Sequence, residues 1–238
     1  MDKGNRLMVS ELIERRVRRA GRAVGRAGLA HAYGHCSVRL EDECFLVCAA
    51  RPMALLGPGE PGIVVPIRGE LPEGVLGEVR IHQQIYSRRR DVHGIVRVQP
   101  PRLMTLSTLG RTPSARHGFG AYFAPAPGLW HDPRLARNDA AAAGIAELLG
   151  AGRAVVMRGN GAVVVGSTIE EAVAMAWYLE DAARVELEVL ATGIPGEPLS
   201  AAEAADRAVT SGRVIERMWE YLSADDPEPE DGDLLADY

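Results

Sequence analysis

Short apolar segments rich in valine and isoleucine recur along this chain, separated by turns or by segments of helical periodicity. Six of them have the length and composition of β-strands: 37–40, 44–47, 63–65, 94–98, 154–157 and 162–165. Between and around them, segments with apolar residues every three or four positions are typical of helices with one buried face: 8–26, 72–89, 139–150, 169–192 and 200–222. Strands alternating with helices indicate a layered α/β or α+β domain.

Size and charge restrict the classes of function. A chain of 238 residues with 47% apolar content fits one large domain, or one domain with a tail. The net charge of −5 gives no electrostatic reason to expect nucleic acid or an acidic membrane as a partner. No apolar run approaches the roughly 20 residues that cross a bilayer, and the charged segment 11–19 excludes a signal-peptide core. We expect a cytoplasmic protein with one domain, 1–222, and an acidic, disordered tail, 223–238.

The first predicted helix has an apolar face and an arginine-rich face. Its apolar residues are Met8, Leu12, Ile13, Val17, Ala20 and Val24, and its arginines are Arg15, Arg16, Arg18, Arg19, Arg22 and Arg26. The pattern predicts an amphipathic helix whose basic face is exposed to solvent. The alternative is that the arginines form a docking surface.

Four further segments occur together in a fixed order. They are G-H-C-S-V-R (34–39), E-V-R-I-H-Q-Q-I-Y (78–86), D-V-H-G-I-V-R-V-Q-P (91–100) and R-G-N-G-A-V-V-V-G-S-T-I-E-E-A (158–172). Their order and spacing resemble those of the class II aldolase/adducin family, over roughly residues 8 to 195. The resemblance implies a three-layer α/β fold with a central mixed β-sheet flanked by α-helices. It also implies a homotetramer with active sites between subunits.

The resemblance fails at the metal site. In the family, the last two segments usually read H-x-H and N-H-G, and their three histidines hold a divalent metal ion. The matching positions here are Arg97, Gln99 and Asn160. Arginine stays protonated and cannot bind a metal, and the two amides lack the imidazole lone pair. We therefore expect the family scaffold without its metal and without another cofactor.

Two charged residues are the first candidates for catalysis. Glu78 matches the glutamate that moves the proton in metal-bearing relatives, so it is a candidate general acid or base. Its alternative role is a surface contact with His82 or Arg80. The Arg97 guanidinium would hold a carboxylate or stabilise a developing oxyanion. Its alternative role is a structural ion pair with Glu78, which is compatible with the catalytic one.

The segments that bind phosphate in the family are also altered. His35 stands where relatives that handle sugar phosphates usually carry asparagine, and C-A-A-R (48–51) replaces a hydroxyl-rich stretch. A small carboxylate-bearing substrate is therefore expected rather than a phosphorylated sugar. His35 is a candidate second acid or base, or it hydrogen-bonds its own turn. The remaining candidates for substrate binding outside the next loop are Ser37, Arg51, His82, Gln99 and Asn160.

The loop at 118–134 is rich in glycine, proline and aromatic residues. In relatives, the matching loop carries an aromatic residue that reaches the active site of the neighbouring subunit. By that resemblance Tyr122 is a candidate proton donor, and Trp130 and His131 are candidate pocket walls. The alternative is that these side chains only anchor the loop.

Two histidines and three cysteines lie close together in the sequence: His31, His35, Cys36, Cys44 and Cys48. Their spacing would suit a soft metal only loosely. Reduced, half-buried thiols are the favoured interpretation in a cytoplasmic chain.

These observations lead to one main hypothesis and two rivals. The main hypothesis is a metal-independent lyase or isomerase that transfers a proton next to a carbonyl or carboxylate, in bacterial specialised metabolism. The reaction would be retro-aldol cleavage, dehydration, decarboxylation, isomerisation or cyclisation. The first rival is an adducin-like binding or assembly protein without catalysis. The second is an aldolase-like oxygenase that binds iron through the cluster of His31, His35 and the three cysteines.

Overall fold

The computed structural model of the chain describes residues 9–41 and 43–228. Its helices are α1 Glu11–Arg26, α2 Arg80–Arg88, α3 Pro101–Thr108, α4 Asp139–Leu149, α5 Ile169–Ala191, α6 Ala201–Arg207 and α7 Val214–Leu222. Its strands are β1 His35–Glu41, β2 Cys44–Val47, β3 Ile63–Pro66, β4 Gly94–Val98, β5 Gly128–Trp130, β6 Ala154–Met157 and β7 Gly161–Gly166. None of the described helices is both long and apolar enough to cross a membrane.

The strands form one sheet in the order β3-β2-β1-β4-β7-β6-β5. Neighbours are antiparallel except for β5 and β6, which run parallel. Successive side chains of a strand point to opposite faces. In β4, Val96 and Val98 therefore pack with α1 and α5, whereas Ile95 packs with α2 and α4. We call these the α5 face and the α2 face, and they confirm the predicted three layers around a mixed sheet.

Several predicted boundaries need correction. Helix α2 begins at Arg80 rather than near residue 72, because Pro72 and Gly74 form a turn in which Gly74 has a φ of 85°. A 3₁₀ turn, Gly77–Val79, precedes the helix. Helix α5 begins as predicted at Ile169, where the Thr168 side chain caps it by accepting from the Glu171 amide.

The predicted last helix, 200–222, is in fact two helices. The chain breaks between α6 and α7, where Gly212 and Arg213 have φ values of 79° and 57°. The periodicity of this segment did not reveal the break. Helix α3 and strand β5 were not predicted at all, because both are short and follow prolines.

The arginine face of α1 is buried, so the prediction of a solvated face was wrong. Arg18 and Arg22 are 2% and 4% exposed. Arg18 Nη2 lies 2.6 Å from Glu228 Oε1, and Arg22 Nη2 lies 2.6 Å from Asp226 Oδ1. Residues 223–228 thus pack on α1 and do not belong to a disordered tail. Residues 229–238, the rest of that predicted tail, lie outside the described residues.

This ion-pair network makes stability depend on pH. Burial raises the pKa of Glu228, but hydrogen bonds from Arg18 and Arg22 outweigh it and lower the pKa to about 2. In the unfolded chain, a glutamate side chain has a pKa of about 4.3. A carboxyl whose folded pKa is depressed stabilises the fold above its unfolded pKa, and this contribution is lost as pH falls through the folded pKa.

We expect Glu228→Gln to lower the urea midpoint of unfolding near neutral pH. The difference from the parent chain should shrink as pH falls from about 4.3 towards about 2. Glu147→Gln, at an exposed position on α4, is the matched control and should leave the midpoint unchanged. A Glu228→Gln effect that is constant over this pH range would contradict the assignment.

Candidate active site

Strands β1 and β4 place two functional side chains opposite each other. His35 and Arg97 are direct partners in the antiparallel ladder, and both point to the α2 face. Gly34 precedes His35 with a φ of 144°, and a Cβ there would lie 2.9 Å from the Arg97 carbonyl oxygen. Only glycine therefore allows the chain to enter β1 this closely along β4.

Glu78 and Arg97 form the predicted ion pair. Arg97 is 2% exposed, its Nη2 lies 3.5 Å from Glu78 Oε2, and its Nη1 donates to the Val98 carbonyl at 2.7 Å. Burial lowers the pKa of Arg97, and the Glu78 carboxylate only partly offsets this effect. The guanidinium nevertheless remains protonated near neutral pH because its ordinary pKa exceeds 12. The site therefore holds a fixed, buried positive charge beside a carboxylate.

A hydrogen-bonded chain of side chains lies behind this pair. His35 Nδ1 is 3.0 Å from His82 Nε2, and His82 Nδ1 is 2.6 Å from Ser37 Oγ. Ser37 Oγ is in turn 3.0 Å from the Tyr86 hydroxyl. His82 is fully buried, and both of its ring nitrogens contact protein atoms, so neither is left for a substrate. Sequence reasoning had placed His82 and Ser37 separately against the substrate.

The two histidines in this series of hydrogen bonds, His35 and His82, are both neutral at physiological pH. Burial lowers the pKa of His82 to about 3, and the Arg97 charge lowers it further in the same direction. Burial also lowers the pKa of His35 well below its usual value, with added effects from His82 and Arg97. A neutral imidazole has one N–H donor and one acceptor nitrogen, so each ring must adopt one of two tautomers.

Three buried polar atoms of the described site have no hydrogen-bond partner: His35 Nε2, Glu78 Oε1 and Arg97 Nε. Most buried polar atoms in folded proteins are hydrogen bonded, and exceptions need an explanation. They belong to the ladder partners His35 and Arg97 and to Glu78, whose carboxylate pairs with Arg97. Together they offer an acceptor, a carboxylate oxygen and a cationic donor to a polar ligand.

The residues at the family's metal positions do not fit a divalent cation. Arg97 is itself a cation, and Gln99 Nε2 donates to Asn160 Oδ1 at 3.3 Å, so the two amides bond to each other. Asn160 lies in the turn after β6, which Ser107 anchors by accepting from the Gly159 amide at 2.9 Å. Across residues 9–41 and 43–228, no group of three or more His, Cys, Asp or Glu side chains is arranged to hold a metal.

The alternative reading of these histidines and cysteines, a soft-metal site, finds no support in their positions. His35 points to the α2 face, whereas its neighbour Cys36 points to the α5 face, where its Sγ contacts the Val17 carbonyl. Cys36 and Cys48 are buried together, with the Cys36 amide 3.4 Å from Cys48 Sγ. Cys44 lies at the other end of β2, and His31 is exposed. Strand alternation separates residues that are adjacent in sequence.

Tyr122 lies on the α5 face of the sheet, on the other side from Glu78 and Arg97. Its hydroxyl donates to the Val209 carbonyl, and its ring stacks on Tyr178 with centroids 5.5 Å apart. It therefore does not meet the site within one chain. A role in the site of a neighbouring subunit stays a prediction.

Three other candidates lie outside the cluster around Arg97. Trp130 packs on α4, where a Cβ added to Gly144 would lie 2.8 Å from the ring. The exposed His131 offers its carbonyl to Arg158 Nε at 2.8 Å. Arg51 is exposed and pairs with Glu60 at 3.2 Å. Their predicted contacts with a substrate stay predictions.

Tyr86 is the site residue that sequence reasoning missed. A signal was present, because the second of the four family-like segments, 78–86, spaces Glu78, His82 and Tyr86 four residues apart. Side chains at this spacing share one helix face. The sequence did not show that Ser37 would bridge His82 and Tyr86, because that contact joins β1 to α2.

Comparison with known proteins gives consistent matches. The sequence pattern described as "Class II Aldolase and Adducin N-terminal domain" matches residues 15–187. A 3,4-dihydroxyphthalate decarboxylase of Terrabacter sp. is 26% identical over 208 residues, which is 76% of this chain and 85% of that protein. A 3,4-dihydroxyphthalate decarboxylase of Arthrobacter keyseri is 28% identical over 201 residues, covering 73% and 77%.

Solved structures share the fold. The L-fuculose 1-phosphate aldolase of Glaciozyma antarctica superposes with a TM-score of 0.74 at 21% identity, covering 92% of this chain and 93% of that one. The L-fuculose-1-phosphate aldolase of Thermus thermophilus gives a TM-score of 0.67 at 26% identity, covering 78% and 98%. These likenesses establish the three-layer architecture around the site.

Proposed function

Because the chain belongs to the class II aldolase and adducin family, we propose that it is a metal-independent lyase that decarboxylates a small hydroxylated carboxylic acid. The two curated relatives that it resembles are both decarboxylases of a dihydroxylated aromatic acid, which favours decarboxylation over the other reactions of a lyase. The fixed positive charge of Arg97 suits an anionic substrate. Metal independence rests on the donor chemistry of Arg97, Gln99 and Asn160.

One observation supports catalysis over a purely structural role. If Glu78 and Arg97 only stabilised an adducin-like binding domain, their pair would be expected to be closed and fully hydrogen bonded. Instead Glu78 Oε1, Arg97 Nε and the adjacent His35 Nε2 are buried without partners. A carboxylate and a hydroxyl of a substrate would supply what these atoms lack.

In the proposed reaction the two charged residues divide the work. Glu78 takes the proton of the substrate hydroxyl, and Arg97 stabilises the resulting oxyanion. Glu78 returns that proton to the carbon bearing the carboxylate. The bond between this carbon and the carboxylate then breaks, its electron pair returns to the oxyanion system, and CO₂ leaves. A proton from solvent restores the hydroxyl.

The proposal is tested by measuring CO₂ release from a panel of hydroxylated aromatic and aliphatic carboxylic acids. The panel begins with 3,4-dihydroxyphthalate, the acid named for the two relatives. We expect one member to be decarboxylated by the purified protein. Binding of panel members without any conversion would favour the adducin-like alternative, and conversion that releases an aldehyde rather than CO₂ would favour retro-aldol cleavage.

The proposed assembly is a homotetramer in the cytoplasm, with the loop at 118–134 at a subunit boundary. Its support is the family resemblance, together with the position of Tyr122 on the α5 face, from which it could complete only another subunit's site. The divergence from the family at Arg97, Gln99 and Asn160 is the support for a role in bacterial specialised metabolism.

A further inference from the structure

We infer that the series of hydrogen bonds behind the site fixes the tautomer of His35 and leaves its Nε2 unprotonated, on the face of the sheet that holds the Glu78–Arg97 pair. The chain runs from Tyr86 through Ser37 and His82 to His35. The tautomer follows from the contacts alone. The catalytic use of that nitrogen rests on the proposed function.

Tyr86 sets the direction in which these hydrogen bonds are donated, because its hydroxyl carries a single proton. Its oxygen lies 3.1 Å from the Ser37 carbonyl and 3.4 Å from the His93 carbonyl, and carbonyls can only accept. If Tyr86 donated to Ser37 Oγ instead, its oxygen lone pairs would oppose both carbonyls in a buried place, which is unfavourable. Tyr86 therefore donates to a carbonyl and accepts from the Ser37 hydroxyl at 3.0 Å.

The remaining protons follow from this first assignment. The Ser37 proton is committed to Tyr86, so Ser37 Oγ accepts at 2.6 Å from the Nδ1–H of His82. Neutral His82 has no second N–H, and its Nε2 accepts at 3.0 Å from the Nδ1–H of His35. His35 then carries its lone pair on Nε2.

The electrostatics of the site agree with this assignment. Arg97 is the ladder partner of His35, and a positive charge there favours a lone pair over an N–H on the facing nitrogen. His35 Nε2 is also buried without a hydrogen-bond partner in the described structure. It is therefore placed to accept a hydrogen bond from a substrate group bound beside Arg97. Ser37, His82 and Tyr86 act as positioning residues for it.

The first test reads the tautomers directly and needs no activity. The full-length protein, labelled with ¹⁵N at its six histidines, would be examined by long-range ¹H–¹⁵N NMR at neutral pH. His35→Gln and His82→Gln spectra assign the two rings. We expect both rings to carry their proton on Nδ1 and none on Nε2. A proton on Nε2 of His35 would overturn the inference.

The second test reverses the direction of donation along these hydrogen bonds. Tyr86→Phe removes the acceptor of the Ser37 proton, so Ser37 should donate to His82 Nδ1 instead. Both histidines should then change to the Nε2–H tautomer. We expect kcat to fall about tenfold, because His35 would present an N–H where the substrate needs a hydrogen-bond acceptor. Tyr178→Phe is the matched control on the α5 face and should change neither the tautomers nor kcat.

The two tests separate this inference from the proposed function. Nδ1–H tautomers in a protein that converts no carboxylic acid would remove the proposed function and leave the assignment of His35 intact. Unchanged tautomers in Tyr86→Phe would remove the claim that the hydrogen bonds from Tyr86 fix the tautomer of His35, even if the parent protein releases CO₂.

Discussion

Arg97→Gln should lower kcat for the decarboxylation by about 10²–10³ while the chain remains folded. Arg97 is the only charge offered at the three positions where the family holds its metal, and Gln99 and Asn160 bond to each other. Glutamine keeps a donor but loses the positive charge, so an oxyanion that develops on the substrate would no longer be stabilised. Steady-state kinetics measure the loss, and circular dichroism measures the fold.

Arg184→Gln provides the control for this substitution. Arg184 is a more exposed arginine that also pairs with carboxylates, those of Asp181 and Glu188. Its replacement should leave kcat and KM unchanged. If Arg97→Gln also kept full turnover, the guanidinium would not be the group that stabilises the oxyanion in place of a metal ion.

Glu78→Gln should lower kcat by about 10²–10⁴ with little change in KM, because the amide can still bind a substrate but cannot move a proton. It should also destabilise the fold by up to about 3–5 kcal/mol, since it leaves buried Arg97 without its ionised partner. Kinetics and urea unfolding of the same preparation give both values. Equal losses in kcat and in substrate affinity would argue against a role in proton transfer.

The double variant Glu78→Leu/Arg97→Met separates catalysis from structural stability. Removing both charges leaves no uncompensated buried ion. The double variant should therefore be more stable than Glu78→Gln or Arg97→Gln, each of which removes only one charge. It should nevertheless be inactive. If function returned together with stability, the pair would be structural and the adducin-like alternative would be favoured.

The sequence predicted the layers and most strands because the patterns that define them are local. The strand predicted at 94–98 is β4, and the helix predicted at 139–150 is α4, which Asn138 and Gly150 cap in accord with their residue preferences. The break between α6 and α7 was missed because it depends on two residues of positive φ in an otherwise helical pattern.

Long-range contacts account for what the sequence could not show. An arginine on a helix is normally solvated, and the carboxylates that bury Arg18 and Arg22 lie more than 200 residues away. For the same reason Ser37 and His82 were predicted as separate substrate contacts, although they form one chain with Tyr86. The family resemblance gave the position of Glu78 and Arg97 but not the tautomer of the histidine beside them.

If catalysis on this scaffold needs no metal, turnover should survive the removal of bound metal ions. The protein would be dialysed against chelator, its zinc, iron and manganese content measured, and CO₂ release compared with that of the untreated preparation. We expect equal kcat before and after stripping, and no gain when each metal is added back. A loss of turnover on stripping that one metal restores at stoichiometric amounts would contradict it.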